Sequence, residues 1–167
     1  MSRTLSLVGF LSALLGCTSM GPGSHTPAIV AALAAAPWNE DSTRESLCSH
    51  VLPCDTVFID PRVASLKPSQ VLPIPSVQPT AFVLPEGSLV SLNSGSRRYV
   101  LHAFERPEVS IHPHTAWARI GVTPPLSDSL TVFLDVHSED RGQAWPVLTA
   151  IRSGLVWRAW LSSYSSM

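Results

Sequence analysis

Charge is scarce in this 167-residue chain: 14% of residues are charged, Lys67 is the single lysine, and the formal net charge is −1. No basic field gathers phosphates, so nucleic-acid binding is excluded as a main activity. After the N-terminal leader no apolar run approaches the ~20 residues of a membrane-spanning helix. The sequence holds no nucleophile elbow, no phosphate-cradling glycine loop and no His-Glu-x-x-His helix, and therefore no recognisable catalytic signature and no implied cofactor. Cysteine is confined to Cys17, Cys48 and Cys54.

What the chain does have begins at its N-terminus. Arg3 precedes a short apolar core at residues 5–15, and Leu14, Leu15 and Gly16 lead directly into Cys17. An ordinary secretory cleavage site prefers a small-x-small pattern, and Leu14 is not small. The segment instead resembles the lipobox of bacterial lipoproteins. That resemblance implies a signal peptide at residues 1–16, cleavage before Cys17, and a lipid such as palmitate on Cys17. Residues 18–26 are small, polar and Gly/Pro-containing, which suits a flexible tether after the lipidated cysteine, over residues 17–25. Thr18 in place of Asp implies sorting to the outer rather than the inner membrane of a bacterial cell envelope. The implied partners are the membrane, through the lipid anchor, and an envelope protein or small ligand.

With Cys17 assigned to lipid, Cys48 and Cys54 remain. Their spacing suits a local disulfide in an oxidising compartment. A metal site built from Cys48, His50 and Cys54 is the alternative, and it lacks an evident fourth ligand.

Residues 26–167 have the length of one domain. The pattern predicts an α+β fold, with one or two N-terminal helices packed on an antiparallel meander of about five to six strands. Thr26 as N-cap and Pro27 at the first helical position open a helix through Ala36, stopped by Pro37. Ser42 and Glu45 form a capping box for a second helix ending near His50. Residues 56–60 read as a strand stopped by Pro61. Residues 61–85 are Pro-rich and predicted to lie outside the sheet. They read as an irregular segment packed through Val71, Leu72, Ile74 and Val77, in preference to a polyproline docking segment. Residues 88–92 and 97–104 flank Asn93-Ser94-Gly95-Ser96 as a hairpin. Residues 115–122 and 130–137 alternate with period two, and residues 143–151 and 155–162 pair around Arg152-Ser153-Gly154. The closing pattern, within residues 130–162, resembles the last hairpin of the nuclear transport factor 2-like cone fold, which implies a curved sheet.

Three groupings bear on chemistry. His112 and His114 lie two residues apart, so on a strand both imidazoles share a face, with His102 or His137 as a third metal ligand and Asp135 on the strand face of His137. A pair of loop histidines is the plainer reading. The alternative function is therefore a small-pocket enzyme assisted by a metal at His112 and His114, or by Asp55 or Asp60 as a base. Trp157 and Trp160 fall on opposite faces of one strand, so one of them lies outside the main core and marks a binding surface. The preferred reading is a lipid-anchored extracytoplasmic domain with a binding or structural role.

Overall fold

A computed structural model describes residues 25–38, 46–48, 54–69, 72–75, 77–93, 97–103, 114–138 and 142–167. The leader, Cys17 and the tether to Ser24 lie outside the described residues, as do Ser42, Glu45, His50 and His112.

The Ala-rich stretch after Pro27 forms helix α1, Thr26–Ala35. Alanine carries little entropic cost in a helix, and proline fits the first turn, where its missing N–H has no intrahelical role. The N-cap position belongs to His25, not Thr26 as the sequence suggests, and no side chain caps that end. At the other end the Trp38 indole donates to the Leu33 carbonyl at 2.8 Å. Ala28, Ile29, Ala32 and Leu33 form the fully buried stripe of the helix.

The second predicted helix does not extend through Ser46, Leu47 and Cys48. The backbone N–H groups of Leu47 and Cys48 donate back to the carbonyls of Pro37 and Trp38, and the Ser46 hydroxyl donates to the Trp38 carbonyl. These bonds tie the segment to the chain leaving α1 and replace an i→i−4 ladder. Cys48 and Cys54 are joined in a disulfide, as their spacing predicts.

Eight strands form one mixed sheet: β1 Thr56–Ser65, β2 Thr80–Val83, β3 Arg98–Leu101, β4 Thr115–Val122, β5 Ser129–Ser138, β6 Gly142–Ala144, β7 Val147–Ser153 and β8 Val156–Ser163. The order is β2-β1-β4-β5-β7-β8, with β3 on β1 and β6 on β5. The count exceeds the five to six expected. The half from β4 to β8 is the antiparallel meander read from the sequence, but β1 runs parallel to both β3 and β4.

Two predictions fail around β1. Pro61 does not end the strand. It sits where the register shifts between Ile59 and Val63, and its carbonyl accepts from the Leu84 N–H at 2.8 Å. At such an irregularity no ladder donor is required, so proline is tolerated inside the strand. The sheet therefore includes residues 61–65 and β2, both assigned by sequence to the Pro-rich loop. Among the described residues, 88–93 and 97–103 do not pair as the expected hairpin. Val90–Leu92 forms a 3-10 turn, and Arg98–Leu101 pairs in parallel with β1. Asn93 shapes this exit by accepting from the Tyr99 N–H through Oδ1. Period-two alternation marks a strand but does not name its neighbour.

The core lies between α1 and one sheet face. Val57, Ile59, Ala118, Ile120, Val132, Leu134, Leu148 and Trp157 point into it. The helix packs mainly on β8 and β7 and reaches β5. On the other face Leu66 and Ile74 from the Pro-rich segment are buried over Gly121. Ile74 thus packs as predicted, while Val77 is exposed. No described helix is long and apolar enough to cross a membrane.

Candidate functional site

The sheet face away from α1 collects the polar and aromatic residues of the central strands. Register decides this. Trp117 stands opposite His137 and Arg119 opposite Asp135, while β6 sets Gln143 opposite His137. Positions two apart share a face, so Trp117 and Arg119, Asp135 and His137 converge. The His137 ring stacks on Trp117 at 4.6 Å between centroids, and the Arg119 guanidinium lies 5.7 Å from the same indole. A cation over an indole face adds ~0.5–1 kcal/mol when partly exposed.

Asp135 is the centre of this cluster and is buried. Its Oδ1 accepts from the Trp145 indole at 2.9 Å and from the Gln143 amide at 3.0 Å, and His137 Nε2 lies 3.3 Å away. Gln143 Nε2 is also 3.1 Å from His137 Nε2. Burial is the largest single influence on the carboxyl and pushes its pKa up. The hydrogen bonds to His137, Gln143 and Trp145, with the charge of His137, outweigh burial and hold the pKa below its ordinary 3.8. The sequence places Asp135 and His137 on one face, and the structure confirms that placement. Reasoning from sequence missed Gln143 and Trp145. Their i, i+2 spacing is a signal, but only the β5–β6 pairing aims it at Asp135.

A second acid, Asp60, is buried at the β1 irregularity and gripped by Arg62. The guanidinium donates from Nε to Oδ1 at 3.1 Å and from a terminal nitrogen to Oδ2 at 3.0 Å, and the Arg62 N–H also donates to Oδ1. Such a bidentate pair fixes the bulge geometry. Between this clamp and Arg119 is a cavity of about 70 Å³, well below the ~300 Å³ at which ligand pockets begin. Asp55 is exposed on the loop before β1, and its N–H donates to the His114 carbonyl. The cavity that Asp60 lines is too small for a substrate.

Among the described residues His114, His102 and His137 are not brought together, and His112 lies outside those residues. His114 is a turn residue with φ of 65°, a left-handed conformation in which histidine is enriched. His102 follows β3, edge-on to Phe58 at 5.8 Å, while His137 is on β5 with β1 and β4 between them. No group of three or more His, Cys, Asp or Glu able to hold a metal occurs among the described residues. Cys48 and Cys54, ligands in the other metal reading, are consumed by the disulfide.

The two tryptophans of β8 divide as their spacing predicts. Trp157 is buried against α1, 6.1 Å from the His25 ring, whereas Trp160 is 48% exposed. Trp160 stands opposite Thr149, whose hydroxyl is 2.6 Å from that of Ser162, and Ile151 on β7 is 40% exposed. The open face thus runs from a hydrogen-bonded acidic and aromatic cluster at β4–β6 to an exposed apolar and hydroxyl surface at β7–β8. No protein-family model matches this chain, no curated protein matches its sequence, and no solved structure matches its fold.

Proposed function

We propose that this protein is a lipid-anchored, non-catalytic domain of a bacterial cell envelope that binds a protein partner through the open sheet face at β7–β8. The observation that carries the reading is Trp160, a large aromatic left half in water on a regular strand whose other face is packed in the core. Exposed tryptophans are costly in water and enriched at binding hot spots. Ile151 and the Thr149–Ser162 hydroxyl pair supply apolar and hydrogen-bonding contacts around it. The Asp135 carboxylate supports a structural rather than catalytic role for its cluster, because Trp145, Gln143 and His137 already occupy it. Export through the lipobox-like leader agrees with the Cys48–Cys54 disulfide, since disulfides persist in oxidising compartments. Oxidative footprinting tests the binding face. Trp160 reacts readily in purified protein and is protected in intact envelopes; equal reactivity in both settings rejects the interface.

A further inference from the structure

A groove of about 520 Å³ lies between α1 and the tip of the β7–β8 hairpin, within the ~300–1,000 Å³ range of ligand sites. Val30 and Ala31 of the helix form one wall, and Leu155 and Val156 at the tip of the β7–β8 hairpin form the other. The rim is apolar and wet: Leu155 is 93% exposed and Val156 59%. Two hydroxyls among the lining residues are out of place in such a groove. Thr26 Oγ1 and Ser88 Oγ are buried without a hydrogen-bond partner, and Thr26 as a whole is only 8% exposed. A buried hydroxyl without a partner is unfavourable, so the pair identifies a missing acceptor at the helix N-terminus. An acyl group fits both features, with its carbonyl accepting from a hydroxyl and its aliphatic tail covering the apolar walls.

We infer that the groove docks an acyl chain of the protein's own Cys17 lipid, an inference that rests on the lipid-anchor reading above. The argument for this occupant is position. Thr26 lines the groove, and the chain reaches it from Cys17 in nine residue steps. Nine residue steps reach at most ~30 Å whatever their conformation. A chain tethered so closely is presented to the groove at an effective concentration of order millimolar. The docked chain would cover Val30, Ala31 and Leu155 at the α1 side of the hairpin tip and leave Trp160 and Ile151 available to a partner.

The test uses the full lipidated protein from cells fed an alkynyl palmitate bearing a diazirine. After irradiation and trypsin digestion, the lipopeptide carrying Cys17 becomes covalently joined to residues 153–158, which hold Leu155 and Val156. Val156→Asp, at an exposed position that does not bear on the core, cuts this adduct at least tenfold while Cys17 labelling is unchanged. Labelled Cys17 with adducts only to phospholipid or to other peptides overturns the inference and leaves the anchor intact, as does an adduct insensitive to Val156→Asp. Unlabelled Cys17 removes the anchor reading and the inference together. Free palmitate on residues 153–158 with unlabelled Cys17 reassigns the groove to a diffusible lipid.

Discussion

Replacing Asp135 separates the electrostatic account of the central cluster from a packing account. In Asp135→Ala the Trp145 indole N–H, buried beside Asp135, loses its carboxylate acceptor. An unsatisfied buried donor costs ~1–3 kcal/mol, and hydrogen bonds to a charged group contribute ~1.5–3 kcal/mol. Gln143 is only half-buried and recovers part of its loss through water. The expected destabilisation is about 2–4 kcal/mol, a Tm decrease of roughly 5–15 °C for a domain of this size. Asp135→Asn keeps an acceptor for Trp145 and costs about 1 kcal/mol. The pH dependence is the sharper test. The folded carboxyl has a lowered pKa, so its stabilisation is fully present above the unfolded value of ~3.9 and disappears as pH falls through the folded value. Urea titrations of wild type and Asp135→Asn between pH 7 and pH 2 should show a stability gap that is constant down to about pH 4 and closes below it. A gap that persists unchanged to pH 2, or Asp135→Ala as stable as wild type, refutes the charge-based account.

Two further pairs of substitutions probe the faces of the sheet. A Cβ added at Gly121 would lie 2.8 Å from Leu66 Cγ and 3.2 Å from Ile74 Cδ1. Gly121→Ala should therefore destabilise by about 1–3 kcal/mol through overpacking. Paired with Leu66→Ala it should cost less than the sum of the two single changes, because the clash is gone; strictly additive urea midpoints contradict this contact. Trp157→Ala should cost ~3–5 kcal/mol and Trp160→Ala under about 1 kcal/mol, read from thermal melts, because only Trp157 packs against α1. Equal losses would place Trp160 in a core.

The legible parts of the fold are those set by local pattern. Residues 115–122 and 130–137 alternate cleanly, and β4 and β5 follow that alternation with Ala118, Ile120, Val132 and Leu134 buried. Gly154, with φ of 63°, turns β7 into β8 as its position between two apolar runs implies. The parallel β1–β3 and β1–β4 pairs were not legible, because their partners are distant in sequence and no turn announces them. Pro61 misled for a related reason: a proline excludes an unbroken ladder, and only the partner strands reveal that the ladder is broken there. The Asp135 cluster is partly readable, through the spacing of Asp135 and His137. Trp145 joins it only through the β5–β6 register, and the groove beside Thr26 needs the whole tertiary arrangement.

The claim on which the functional account depends is the lipid at Cys17. Intact-mass and N-terminal peptide analysis of protein isolated from the envelope of its native host measures it directly. The account predicts a mature chain that begins at Cys17 and carries the mass of attached acyl chains, with Cys17→Ser leaving the leader uncleaved and the lipid absent. A mature N-terminus elsewhere, or an unmodified Cys17 in protein that is still held at the membrane, contradicts it.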